Sequence, residues 1–329
     1  MKTAVYSTHG FEKDFLVCAN AGSHELVFLE ARLTSQTARL AAGCEAVCVF
    51  VSDELSVPVL EILQELGVRY IVLRSAGFNH VNLKKAGELD LGVARVPEYS
   101  PFAVGEYAVT MMLALNRKII QANRRITEQN FSLDGLVGFD MHGKTVGIAG
   151  TGKIGAVVAR ILHGFGCNIL AYDKVEAPEL QALGARYLSF EDVCRESDII
   201  TLHVPLHEST RYMVNAESIS WMKRGVMLIN TGRGGLINTR DVIAALKSGH
   251  IGALGLDVYE EEEGLFFEDH SEDILQDEVI VRLMSFRNVL ITSHQAFLTG
   301  TALENIAAAT IHNIDCFEKG LISGNEVKV

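Results

Sequence analysis

Arg233, the four consecutive glutamates Glu260–Glu263, and His294 each follow closely on an apolar, β-rich run: VMLINT (226–231), GALGLDV (252–258) and NVLITS (288–293). Open parallel α/β sheets gather their ligands at the carboxyl ends of the strands, so these residues are expected to converge on one crevice. Arginine, glutamate and histidine suit the reduction of a 2-keto acid, which needs a fixed cation for the carboxylate, an acid for the carbonyl oxygen, and a partner that keeps that acid charged. Arg233 offers a planar fork to carboxylate and carbonyl that a lysine lacks. A carboxylate beside an imidazole favours its protonated form, each pKa unit being worth about 1.4 kcal/mol. Plainer readings exist for each: a turn arginine, a solvated acidic surface, a histidine capping a strand. Spacing does not choose among the four glutamates, and it does not set the handedness of the product.

A second group points to a dinucleotide. Gly150, Gly152 and Gly155 spell G-T-G-K-I-G between a strand-like and a helical stretch. Without side chains the backbone turns tightly there and approaches a pyrophosphate at a helix N-terminus. The next strand-like run ends in Asp173, where a carboxylate accepts hydrogen bonds from free ribose hydroxyls and repels a 2'-phosphate. NAD is therefore expected over NADP, with Lys174 softening the discrimination. A solvated aspartate ending a strand is the alternative.

These residues require two sheets to position them. The runs TAVYST (3–8), ELVFLE (25–30), AVCVFV (46–51), RYIVLRS (69–75) and GVARVP (92–97) alternate with helical stretches and predict a small parallel α/β sheet. Pro97 and Pro101 mark a boundary near residue 98, after which PFAVGEYAVTMMLALNRKIIQANRR reads as one long apolar helix that a domain or a subunit must cover. From Lys144 a complete βαβ unit begins, and DIITLHV (198–204) with the three runs named above extends it to a second, larger doubly wound sheet. Residues 301–319 predict an amphipathic helix able to pack back on the first domain.

Composition narrows the function classes. A chain of 329 residues has room for two cores. A formal charge of -12 speaks against nucleic acid and anionic membrane surfaces, while leaving room for a small anion held by one arginine. No apolar run approaches the roughly 20 residues of a membrane span and the start carries no leader pattern, so cytoplasmic residence is expected. The six cysteines, scattered without a C-x-x-C pair, are expected to be free thiols, with Cys44 and Cys48 as small buried residues at a strand entry and no metal bound.

AGFNHV (76–81), VPEYSP (96–101), GTGKIG (150–155), NTGRGGLI (230–237), LDVYEEE (256–262), LFFED (265–269) and SHQAFLT (293–299) together resemble the D-2-hydroxyacid dehydrogenase family, in particular its bacterial fermentative D-lactate dehydrogenases. The likeness runs over essentially the whole chain, in the family's motif order. It implies a flavodoxin-like substrate domain (1–98 and 297–329) and a Rossmann cofactor domain (99–296), both α/β with doubly wound parallel sheets, with a cleft between them. It implies catalytic roles for Arg233, Glu262 (five positions after Asp257) and His294, and settles which glutamate is meant. The backbone at Ala76 and Gly77 would hold the substrate carboxylate, Tyr99 would stand at the pocket, and Phe50 and Phe297 would line a small side-chain site suited to a methyl group, unless they are plain core. Cofactor contacts would come from Gly150, Gly152, Lys153, Ile154, Gly155, Asp173, Val204, Pro205, Thr231 and Asp257, with His203 shaping the cofactor loop. The implied reaction is pyruvate to D-lactate with NADH, in a homodimer or homotetramer whose contact helix follows Pro101.

Three positions depart from the family's usual pattern: Glu98 in place of alanine, GEYAV in place of AEHAV, and NHVN in place of an ending in aspartate. None removes a catalytic group. Glu98 next to Tyr99 adds a carboxylate near the expected pocket, which keeps open a bulkier or different 2-keto acid such as phenylpyruvate or hydroxypyruvate. An NAD-sensing corepressor of similar fold is the reading from another class. The compact chain, without a basic or low-complexity tail, favours the enzyme.

Overall fold

Short β-branched runs separated by helical stretches become parallel strands because only a crossover can return the chain to the same edge direction. In the computed structural model, which describes residues 1–327, the first hundred residues form β1 (Lys2–Val5), α1 (Gly10–Asn20), β2 (Glu25–Phe28), β3 (Ala46–Val49), α2 (Val57–Glu65), β4 (Tyr70–Leu73), α3 (Leu83–Glu88) and β5 (Gly92–Ala94). There follow α4 (Pro101–Asn116), α5 (Ile119–Thr127), β6 (Thr145–Ala149), α6 (Lys153–Gly164), β7 (Asn168–Tyr172), α7 (Pro178–Ala182), β8 (Arg186–Tyr187), α8 (Phe190–Glu196) and β9 (Ile199–Leu202). The last elements are α9 (Ala216–Trp221), β10 (Val226–Asn230), α10 (Thr239–Ser248), β11 (Ile251–Leu256), α11 (Glu278–Met284), β12 (Val289–Ile291) and α12 (Gly300–Glu318).

Two units result, one made of Met1–Ser100 with the chain from Leu298 onward, the other of Pro101–Phe297. The first carries a five-stranded parallel sheet of order β2-β1-β3-β4-β5. α2 buries Val59, Leu60 and Leu63 against one face, with Tyr6, Val47, Val49 and Ile71. α12 covers the other with Ala307, Ile311, Ile314 and Phe317, so the C-terminal helix does return to the first sheet. The second unit carries a seven-stranded parallel sheet of order β12-β11-β10-β9-β6-β7-β8. Its central strands β9 and β10 are buried along their whole length, as helices on both faces require. In each sheet the order reverses beside the first strand, which is where such folds open a crevice at the strand ends.

The structure differs from the sequence reading at three places. The single long helix after Pro101 is two: Lys118 adopts a left-handed conformation (φ 49°) between α4 and α5, and the buried Asn116 side chain bonds both backbone groups of Phe139. The two-residue strand β8 carries no apolar pattern that would reveal it. The unit boundaries fall at Ser100 and Phe297, where residues 98 and 296 were expected. Pro101 has no N–H to give and so opens α4, while the Tyr99 carbonyl accepts from Asn305 of α12 (2.6 Å) and stays with the first unit. The expected substrate domain ran to residue 329, and residues 328 and 329 lie outside the described residues. Gly105, in the unusual GEYAV, sits where α4 crosses α6; an added Cβ would lie 2.7 Å from Val157 Cγ1.

All six cysteines are free and five of them buried, Cys44 and Cys48 among them. Among the described residues no helix is long and apolar enough to cross a membrane.

Candidate active site

The glycine loop between β6 and α6 is built by close backbone approach. Gly150 has φ +94°, and a Cβ there would lie 2.6 Å from Val204 N; a Cβ on Gly155 would lie 1.9 Å from the Gly150 carbonyl oxygen. Gly152, the N-cap of α6, faces open space instead, leaving Lys153, Ile154 and the other first-turn amides at a helix N-terminus that suits an anion. Asp173, just past β7, accepts from Thr151 N (2.6 Å), Thr151 Oγ1 (3.1 Å) and Lys174 N (2.6 Å). Burial opposes its ionisation, yet the N–H donors of Thr151, Val175 and Lys174 outweigh it and hold the carboxyl below its usual range. Its charge thus lies at the loop, where ribose hydroxyls would find an acceptor.

The loop after β9 lines the same strand ends. His203 bonds Thr201 Oγ1 (2.9 Å), and burial pulls its pKa down to about 4, so it is a neutral structural imidazole carrying Val204 and Pro205. The Pro205 carbonyl is tied to Thr210 Oγ1 (2.7 Å). Past β10, Thr231 is buried and its Oγ1 has no hydrogen-bond partner among the described residues. An orphaned hydroxyl, an open N-cap and a carboxylate beyond the second strand together fit a dinucleotide.

Arg233, Glu262 and His294 lie on the loops after β10, β11 and β12, neighbours at one edge of the second sheet. His294 Nδ1 lies 2.8 Å from Glu262 Oε1. Glu262 Oε2 accepts from Tyr259 N (3.0 Å), which folds the acidic loop back on itself. Glu260 is spent elsewhere, on Tyr212 OH (2.8 Å) and Thr239 N (3.1 Å). Geometry therefore selects Glu262 by its own route. With Nδ1 engaged, the imidazole keeps Nε2 for chemistry. Arg233 donates from Nη1 to the Gly232 carbonyl (2.7 Å) and pairs with no carboxylate among the described residues.

Two more residues build this arrangement, of which the sequence reading named only Asp257. Asp257 was expected at the cofactor; both its carboxylate oxygens bind the His294 turn, accepting from Thr292 Oγ1 (2.6 Å), Gln295 N (2.9 Å) and Ala296 N (2.8 Å). Its carbonyl also takes His294 N (2.7 Å). These bonds hold His294 in a left-handed conformation, φ 52°, that a histidine adopts only under constraint. Burial raises the Asp257 pKa against the pull of those donors. The other residue is Gly234, where a Cβ would lie 2.1 Å from the Tyr259 carbonyl carbon. That absence lets the Arg233 loop pass against the acidic loop. Gly234→Ala is expected to cost about 1–3 kcal/mol of stability by overpacking, measured by urea unfolding. A wild-type midpoint would mean that the two loops part freely.

The remaining candidates belong to the first unit, except Phe297, which ends the second. After β4, the Gly77 carbonyl accepts from Ser75 Oγ (2.7 Å) and the Ala76 carbonyl from Arg95 Nη1 (2.6 Å). The N–H groups of Ala76 and Gly77 bond to nothing among the described residues. Phe50 is buried against His9 (ring centroids 5.0 Å) and under the Arg74 guanidinium (5.6 Å). Tyr99 and Phe297 are half-buried and Glu98 is exposed.

Residues 109–296 match the model of the D-isomer specific 2-hydroxyacid dehydrogenase NAD binding domain. The chain is 50% identical over 328 residues to a D-lactate dehydrogenase of Escherichia coli (strain K12), covering 99% of this chain and 100% of that one. Its fold is similar to the apo-structure of D-lactate dehydrogenase from Escherichia coli, with a TM-score of 0.91, 47% identity, and 99% and 100% of the two chains covered. It is also similar to D-lactate dehydrogenase from Aquifex aeolicus complexed with NAD and lactic acid, with a TM-score of 0.87, 33% identity, and 99% and 98% covered.

Proposed function

The chain belongs to the D-isomer-specific 2-hydroxyacid dehydrogenase family, NAD-dependent oxidoreductases, and from that premise we propose that it reduces pyruvate to D-lactate. The observation that carries this reading is the His294–Glu262 pair at 2.8 Å on the strand end next to the unpaired Arg233. Bound NADH supplies the hydride to C2 of the keto acid. His294 gives its Nε2 proton to the carbonyl oxygen while Glu262 holds Nδ1 and offsets the imidazolium charge. Arg233 takes the substrate carboxylate and stabilises the alkoxide as it develops, with no competing protein carboxylate to release first. Oxidation of the hydroxy acid runs the same proton path backwards.

The proposal extends to the groups around the reacting centre. The free N–H groups of Ala76 and Gly77 support a carboxylate cradle. Phe50 and Phe297 are assigned to the wall around the C3 methyl group, and Tyr99 to the pocket. Lys153, Ile154, Val204, Pro205, Thr231 and Asp257 are assigned to the cofactor, with Gly150, Gly152 and Gly155 giving the backbone its close approach. Asp173 is assigned to the adenosine ribose. Asp173→Asn is then expected to raise the KM for NADH about tenfold, the loss of roughly 1.5 kcal/mol from a charged hydrogen bond, and to narrow the preference over NADPH. Unchanged KM values for both cofactors would remove Asp173 from the ribose.

Ile119, Ile120, Ile126, Phe131, Leu133 and Val137 are all more than half exposed, which supports a homo-oligomer, a homodimer or homotetramer, covering this segment. The charge of -12 supports a partner set without nucleic acid, and the reading includes cytoplasmic residence.

Initial rates of NADH oxidation with pyruvate, phenylpyruvate and hydroxypyruvate test the substrate assignment. Pyruvate is expected to dominate for the parent, and Phe297→Ala to move the preference toward phenylpyruvate by removing the aromatic wall. A variant with the parent's substrate order would take Phe297 out of the pocket. Cofactor binding without turnover of any keto acid would favour a sensing role instead.

A further inference from the structure

Near the start of β2 and at the last turn of α12, both in the first unit, His24, Asp315 and Glu318 present ligand atoms within 4.8 Å of one another. None of the three has a part in the chemistry above. Asn20 anchors the His24 backbone by accepting its N–H (3.0 Å) and donating to its carbonyl (2.9 Å). The His24 side chain is fully buried, and its Nε2 lies 3.3 Å from Asp315 Oδ1 without being aligned for a hydrogen bond. Nδ1 lies 3.8 Å from Glu318 Oε1 and 3.3 Å from the Met1 ammonium. That ammonium donates to Glu318 Oε1, and Lys319 Nζ lies 3.6 Å from Asp315 Oδ1.

We propose that His24, Asp315 and Glu318 bind a divalent transition-metal ion, zinc by the mixed nitrogen and oxygen donor set. A tetrahedral ion with bonds of about 2.0–2.2 Å spaces its donors by about 3.3–3.6 Å. The Nε2 to Oδ1 separation already has that value. Glu318 is 40% exposed on its side chain and reaches the ion by a rotamer change. The ion takes the lone pair of neutral Nε2 and one oxygen from each carboxylate, leaving the fourth position to water. The Met1 ammonium gives up Glu318 Oε1 as its partner, and no bond to carbon or redox change is involved. Asp315 and Glu318 share one helix face at i, i+3, so the ion ties the end of α12 to β2. No C-x-x-C or H-x-x-H spacing announces it, because the donors are almost 300 positions apart in sequence.

Full-length protein stripped with chelator and titrated with zinc chloride tests this by calorimetry and thermal unfolding. One equivalent is expected to bind at micromolar free zinc and to raise Tm. Asp315→Asn and His24→Gln are expected to weaken binding by about an order of magnitude or more and to abolish the Tm rise. Asp315 is only partly buried, so its variant should fold even if the His24 variant does not, which circular dichroism checks. Substitution with cobalt separates this site from the exposed Cys18, since only a thiolate ligand adds sulfur-to-metal charge transfer in the near ultraviolet. No saturable zinc binding, binding equal to the parent's in Asp315→Asn, or a thiolate signature in the cobalt spectrum would each overturn the proposal.

Discussion

His294→Gln should lower kcat for keto-acid reduction by about two to four orders of magnitude, the usual contribution of a positioned general acid, with the affinity for NADH near the parent's. The size of the effect follows from how much of the structure serves that imidazole. Glu262 holds Nδ1 at 2.8 Å, and Asp257 spends both carboxylate oxygens and its carbonyl on the turn that carries it. Glutamine keeps much of the volume and a polar tip but cannot carry an ionisable proton. Single-turnover measurement with saturating NADH would isolate the chemical step, and a rate matching the parent's would take His294 out of the mechanism.

The second large effect is expected at Arg233. On the proposed assignment, replacing it with glutamine removes both the anchor for the substrate carboxylate and a donor to the developing alkoxide. Loss of one such donor alone costs about 2.7–4 kcal/mol, or roughly a hundred- to a thousandfold in rate. Unlike the histidine variant, this one should also raise the KM for the keto acid, because the anchor acts in the ground state as well. Arg233→Lys should recover little, since a point charge does not reproduce the planar fork. Steady-state kinetics of both variants, with NADH binding measured separately, would show it. An unchanged KM for the keto acid in Arg233→Gln would place the substrate carboxylate elsewhere.

Much of this architecture can be read along the chain. The strand runs, the glycine loop and the acid beyond the second strand depend on local periodicity and turn chemistry, and they occupy the positions those patterns predict. The order of strands β10, β11 and β12 makes Arg233, Glu262 and His294 neighbours on one sheet edge, and that convergence follows from the doubly wound topology. The choice of glutamate does not: Glu260 and Glu262 differ only in how the loop folds back through Tyr259 N, a contact no spacing encodes. Asp257 is expected at the cofactor, but its bonds to Thr292, Gln295 and Ala296, more than thirty positions on, are likewise not encoded by spacing. The helix break at Lys118 also depends on a partner outside the local sequence, the backbone of Phe139 bound by Asn116. Gly234 left a visible trace in the doubled glycine after Arg233, but only the loop opposite explains it. Local rules thus placed the elements, and long-range hydrogen bonds decided what the loops between them do.

The central claim is tested most directly by incubating the purified protein with NADH and pyruvate and determining the configuration of the lactate formed with stereospecific assays. The account predicts NADH consumption matched mole for mole by D-lactate. L-lactate as the product, or no NADH consumption while the cofactor binds, would contradict it.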